Sequence, residues 1–165
     1  MSLASGRPLP AGAKGVGTAA FLAFGGQVAG KIVGKVAGAL KGVNNISPSS
    51  IRFSQSSVNG VDDIAASMSA NGWKGAPIDV VKMPDGLLTT VDNTRVLAAD
   101  LAGIDVRAVV HRSTDALPAK FIERFTTRSG GAPQTWGNAV LNRIGNQNSL
   151  YRNTYPFGSP VTGVR

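Results

Sequence analysis

Residues 77–112, PIDVVKMPDGLLTTVDNTRVLAADLAGIDVRAVVHR, constrain the fold more tightly than any other part of the chain. Ile78–Lys82 and Leu87–Val91 have strand composition, and the Met83-Pro84-Asp85-Gly86 turn between them predicts a hairpin. TRVLAADLAGI then reads as a helix stopped at Gly103, and DVRAVVHR as a further strand. Strand, strand, helix, strand requires a sheet with helices packed on it.

The preceding segment extends the same pattern. In ISPSSIRFSQSSV a turn at Ser47-Pro48 leads into alternating Ile51 and Phe53, a short strand that enters a polar loop. VDDIAASMSANGW places Val61, Ile64, Ala65 and Met68 at helical spacing, with Asn71-Gly72 to end the helix. The whole order is β-α-β-β-α-β, an α+β unit that begins near Ile46. After it, PAKFIERFTT and TWGNAVLNRIGNQNSLYRN read as helical, separated by a loop at Ser129–Pro133. In the second of these, Trp136, Ala139, Val140 and Ile144 form the side expected to be buried, and Arg143 and Gln147 share another face.

Composition separates residues 1–45 from residues 46–165. Arg7, Lys14, Lys31, Lys35 and Lys41 stand in a Gly/Ala-rich segment without an acid, a net +5. Residues 46–119 carry six basic and eight acidic residues, net −2, and residues 120–165 carry six basic residues against Glu123, net +5. The total of +8 favours an anionic partner: nucleic acid, an anionic membrane or an acidic protein. The absence of cysteine removes disulfides, thiolate catalysis and cysteine-ligated zinc. The uncharged run Gly15–Gly30 falls short of the roughly 20 residues that span a bilayer, and no signal peptide is expected. Gly26, Gly30, Gly34 and Gly38 recur every fourth position, so a linker and a membrane contact of residues 15–41 are both open readings.

Chemistry concentrates at the joint between the hairpin and the helix after it, where Asp92, Asn93 and Arg95 exceed what one cap requires. A helix start offers unpaired N–H groups and partial positive charge, which suit phosphate. Arg95, one turn in, is expected to add a bidentate contact. Asn93 is expected to cap the helix or bind a ribose or base edge, and Asp92 to orient Arg95 or act as an acid/base group.

These motifs resemble the ParB/sulfiredoxin-like superfamily, through Ile51, NGWKGAPIDVV, DGLLTTVDNTRVLAADLAGI and VRAVVH taken in order. Asn93 and Thr94 replace that family's glutamate or cysteine and its first arginine, while Arg95, Ala98, Ala99 and Gly103 stay in register. More narrowly, the chain resembles the ParB-like toxin domains at the C-termini of bacterial contact-dependent and Rhs-type effectors. Phe53-Ser54-Gln55, Asp85-Gly86 with Asp92-Asn93-Thr94-Arg95, and Thr135-Trp136-Gly137-Asn138-Ala139 carry that likeness across residues 46–150. The resemblance implies a ParB/sulfiredoxin-like fold with C-terminal helices, a nucleotide-phosphate site at the joint and a nuclease toxin domain over 46–165. It also implies delivery as a secreted effector into the cytoplasm of a target bacterial cell, and a cognate, acidic immunity protein.

Further candidates follow from residue chemistry. Ser54 and Gln55, at the end of the first strand, are expected to face the joint, with Gln55 bonding phosphate or base. His111, at the end of the last strand, has the proton affinity of a general base for a ribose 2′-hydroxyl. Thr94 is grouped with the substrate-facing residues. The tail crowds Arg143, Asn146, Gln147, Tyr151 and Arg152 together, a mixture that suits single-stranded bases and phosphates. No metal is expected, because the only concentrated acids, Asp62 and Asp63, suit a helix dipole better. The expected activity is metal-independent cleavage of nucleic acid, with RNA, transfer RNA included, ahead of DNA. The alternatives are a nucleotide-directed hydrolase or transferase on the same phosphate site, with a nucleotide as its only cofactor, and a membrane-active toxin.

Overall fold

The computed structural model describes residues 42–165, so the glycine stripe and the membrane contact considered for residues 15–41 lie outside the described residues. Ile46–Arg165 form one compact unit. It is a mixed α+β structure with a five-stranded sheet and five α-helices among the described residues.

The strands are β1 (Asn44–Ile46), β2 (Ile51–Arg52), β3 (Ser57–Val58), β4 (Ile78–Lys82), β5 (Leu88–Thr90), β6 (Val106–Arg112) and β7 (Gly163–Val164). The helices are α1 (Val61–Asn71), α2 (Asn93–Ala102), α3 (Ala119–Phe125), α4 (Trp136–Gly145) and α5 (Ser149–Thr154). Sheet order is β1-β6-β4-β5-β2. The β4–β5 hairpin is antiparallel, with Val81 opposite Thr89, whereas β4 pairs parallel with β6 and β2 parallel with β5.

Local chemistry accounts for most of the boundaries. Asp62 and Asp63 occupy the first turn of α1, exposed, where the helix dipole favours negative charge. Gly103 closes α2 in the left-handed conformation at φ 72°, and its N–H bonds back to the Ala99 and Asp100 carbonyls. One expectation needed correction, and one strand pairing was not anticipated. The tail is two helices rather than one, because Asn146–Asn148 break the run and Asn148 caps α5 by accepting from the Tyr151 N–H. A second, two-stranded sheet joins β3 to β7, a pairing that no local pattern announces.

Both faces of the main sheet are covered. One face presents Ile78, Val80, Val106 and Ala108 to Val61 and Met68 of α1 and to Val96–Ala99 of α2. The other presents Val81 to Leu117, Phe125, Trp136, Val140 and Tyr151 of the α3–α5 layer. Alternation along β4 sends Val80 one way and Val81 the other, and both are fully buried. Each such side chain contributes about 1.5–3 kcal/mol of burial. Gly137 lets α4 approach β6 closely: a Cβ there would lie 2.8 Å from the Ser113 carbonyl oxygen, which the Gly137 N–H already bonds.

Candidate functional site

Because β2 and β5 run parallel, with Arg52 opposite Thr89, the chain leaves both strands side by side. The end of β2 therefore meets the start of α2. The Ser54 N–H donates to Asn93 Oδ1 at 2.7 Å, and Ser54 Oγ donates to the Thr90 carbonyl at 2.7 Å. Asn93 Nδ2 donates to Ser54 Oγ at 3.1 Å and to Gln55 Oε1 at 3.0 Å. Ser54 and Asn93 are buried. Asn93 was expected to cap the helix or bind a ribose or base edge. Instead Asp92 stands at the cap position, and Asn93, the first helical residue, turns inward as a clasp between β2 and α2. Removing that amide would leave the Ser54 N–H buried and unpaired, which costs about 1–3 kcal/mol.

Asp92 was expected to orient Arg95 or act as an acid/base group, and Arg95 to contact phosphate. The Asp92 side chain makes no capping bond, is about one-third exposed and lies 3.9 Å from Arg95 Nη1. Arg95 points toward the loop after α1: Nη2 donates to the Lys74 carbonyl at 2.9 Å and the guanidinium lies 4.3 Å from the Trp73 ring centroid. A guanidinium that packs on an indole and caps a loop carbonyl is satisfied without phosphate. Thr94 is half-buried between them.

The tail reaches this joint. Gln147 Oε1 accepts from both the Ser56 N–H and Ser56 Oγ at 3.0 Å, while its Nε2 donates to the Arg143 carbonyl. Thr162 Oγ1 donates to the Gln55 carbonyl at 2.9 Å, and Phe53 forms an antiparallel bridge with Ser159. Arg143 lies beside Phe125, 5.2 Å from its centroid, and burial depresses the guanidinium's proton affinity. The charge of Arg124 depresses it further and that of Asp92 partly restores it, so Arg143 and Asp92 are within electrostatic reach.

Other tail residues have structural partners. Tyr151 is buried, packs on Tyr155 at 5.5 Å and donates its hydroxyl to the Phe53 carbonyl at 2.9 Å. It has no open face for a base, contrary to the stacking role expected of it, and burial pushes its pKa up to about 12. Arg152 donates to the Gln147 carbonyl, and Asn146 is exposed at the C-terminal cap of α4. Asn142, unrecognised as structural in the sequence, is buried and donates to the Phe125 and Gly131 carbonyls at 2.9 Å.

His111 is buried against Trp136, the two rings stacked with centroids 4.0 Å apart and planes nearly parallel, and its Nε2 lies 2.8 Å from Asp79 Oδ1. Asp79, which the sequence reading passed over, and Trp136 together account for that ring nitrogen and for one ring face. Among the described residues, no group of three or more His, Cys, Asp or Glu side chains is arranged to hold a metal ion.

A separate cleft of about 290 Å³ lies between the hairpin turn and the start of α4, lined by Met83, Pro84, Ser113, Gly137 and Leu141 among others. Its helix N-terminus is closed to anions. The first N–H groups of α4 already bond Asp115 O, Ser113 O and Thr135 Oγ1.

No family model, curated protein or solved structure matches the chain.

Proposed function

We propose that residues 46–165 are a ParB/sulfiredoxin-like nuclease toxin domain that cleaves RNA in preference to DNA, without a metal. The observation that carries this reading is the docking of the α4 end on the β2–α2 joint through Gln147 and Ser56. At that contact a partly exposed carboxylate, Asp92, is within electrostatic reach of a half-buried guanidinium, Arg143. The pairing of acid and cation is what a phosphodiester cleavage site needs.

In the proposed reaction Asp92 takes the proton from a ribose 2′-hydroxyl. The 2′-oxygen bonds to the adjacent phosphorus and the bond from phosphorus to the 5′-oxygen breaks. A 2′,3′-cyclic phosphate and a 5′-hydroxyl result, the latter protonated by water. Arg143 faces the charge that grows on the phosphoryl oxygens. Gln55, half-buried with its amide oxygen held by Asn93, presents its amide nitrogen to base or phosphate. Ser54, Asn93, His111 and Tyr151 serve as framework, and Arg95 as a strut on Trp73. Thr94, Asn146 and Arg152 line the approach.

The same reading assigns an acidic immunity protein to the basic surface of residues 120–165, drawn there by charge complementarity, and delivery of the domain into a target bacterial cytoplasm. The deciding experiment incubates the full chain with transfer RNA, plasmid DNA and radiolabelled ATP. RNA fragments ending in cyclic phosphate, lost in Asp92→Asn, support the reading. Turnover of ATP alone would move the activity to free nucleotides, and an active Asp92→Asn would remove the carboxylate from the mechanism.

A further inference from the structure

Two guanidinium groups share one aromatic ring in the α3–α4 layer. Arg124 lies 4.8 Å and Arg143 5.2 Å from the Phe125 centroid, one from each helix. Neither guanidinium makes a hydrogen bond or an ion pair among the described residues, although Arg52, Arg95, Arg112 and Arg152 all do. Arg143 is half-buried and Arg124 exposed, and the charge of Arg124 opposes protonation of Arg143. A packed fold has little reason to build such a pair for stability, since a single arginine would cover Phe125 equally well. Glu123, the one acid of residues 120–165, is exposed next to Arg124 in sequence and pairs with neither. Among the described residues, the opposing charge that acts on Arg143 is that of Asp92, at the joint.

We propose that Arg124 and Arg143, each anchored against the Phe125 ring, form a two-guanidinium clamp for a phosphate oxyanion. Arginine suits the task because its planar fork meets phosphate oxygens bidentately and stacks on an aromatic face. An oxyanion between the two groups converts their repulsion into two attractions. It would hold one phosphodiester of the RNA beside Asp92, so the clamp rests on the nuclease reading for its natural ligand but not for its anion chemistry. Arg124, absent from the candidates chosen from sequence, becomes a substrate-binding residue of the proposed site.

The test uses the full chain and inorganic pyrophosphate, followed by titration calorimetry and thermal melting, on wild type, Arg124→Gln, Arg143→Gln, the double variant and Arg107→Gln as a charge-matched control. Wild type and the control should bind pyrophosphate. Each clamp variant should bind about tenfold or more weakly, as expected for a lost charge-assisted contact. The double variant should fall short of the product of the two losses, because either arginine alone no longer clamps. Without ligand, Arg124→Gln should melt at or above the wild-type temperature, since it relieves a repulsion. A lower melting temperature would make Arg124 a structural residue and overturn the clamp. So would wild type failing to bind pyrophosphate, or the double variant binding it as well as wild type. A parallel arm follows a labelled RNA oligonucleotide, whose affinity should fall in both single variants with a shallower salt dependence. Pyrophosphate bound as described while RNA is neither bound nor cut would leave the clamp standing and sink the nuclease reading instead.

Discussion

The two faces of the sheet are built on different terms. The face under α1 and α2 is filled mostly by Val, Ile, Ala and Leu side chains, with Phe53 and Met68 among them, and its buried polar groups, Ser54, Thr90 and Asn93, gather at the β2–α2 joint. The face under α3–α5 is aromatic, and buried polar groups stand in or beside it: His111 on Trp136, Asn142 on two carbonyls, Thr89 donating to the Phe157 carbonyl. An aliphatic face tolerates exchange of one hydrocarbon for another of similar volume. A face with buried polar atoms does not, because each atom needs its partner in place. The groups proposed for function gather where the β2–α2 joint meets the end of α4, and the polar framework there holds Ser54–Ser56 and α4 in a fixed relation.

This contrast can be broken experimentally. The largest effect is expected from Asp92→Asn, which should lower RNA cleavage by about 10²–10⁴-fold, the range for a general base, while melting within a few degrees of wild type. Steady-state cleavage with a melting control reads both. A fully active variant would place the chemistry elsewhere.

Next in size is Tyr151→Ala, which empties an aromatic site and should cost about 3–5 kcal/mol in denaturant unfolding. Tyr151→Phe should cost only about 1 kcal/mol, because the Phe53 carbonyl keeps its bond from the Ser159 N–H. The pH dependence has a definite sign. The folded pKa, about 12, lies above the ordinary value of 10.0, so the phenol's contribution is whole below pH 10 and is lost as pH rises toward 12. Tyr151→Phe should remove that alkaline loss, and an unchanged alkaline profile would show that another group causes it.

Asn142→Ala removes the donor to the buried Phe125 carbonyl, while the exposed Gly131 carbonyl keeps the Thr127 N–H, and should cost about 1–2 kcal/mol. An effect near zero in chemical denaturation would mean that water replaces the amide.

Arg95→Ala tests the boundary between the faces. It removes a strut on Trp73 rather than a phosphate ligand, so stability should fall by about 1 kcal/mol and cleavage should persist. Loss of cleavage in a folded Arg95→Ala protein would restore Arg95 to the active site.

The smallest effect belongs to the exposed Arg52–Asp85 fork, with N–O distances of 2.7 and 2.9 Å. Arg52 holds the Asp85 carboxyl below its ordinary value, so this contribution is present above pH 3.8 and fades as the pH falls lower. Asp85→Asn should cost no more than about 1 kcal/mol at neutral pH, with salt shrinking the difference.

Much of the secondary structure was legible before any coordinate. Strand Ile78–Lys82, the turn ending at Gly86, helix α1 stopped at Gly72 and helix α2 stopped at Gly103 all follow from patterns within a few residues, because hydrophobic period and left-handed glycine are local properties. The buried side of α4 was legible for the same reason: Trp136, Ala139, Val140 and Ile144 keep the 3.6-residue repeat. What a polar side chain binds was not. Ser54 and Asn93 are 39 positions apart, Tyr151 and Phe53 98, and Gln55 and Thr162 107. The residues around Asn93 cannot say whether it will cap its own helix or clasp a distant strand, nor whether Arg95 will turn to phosphate or to Trp73. Nothing in the sequence sets Arg124 beside Arg143 on one ring. Those choices were made by the packing of α2 and α4 against the sheet, which decides the neighbours that each donor, acceptor and charge can reach.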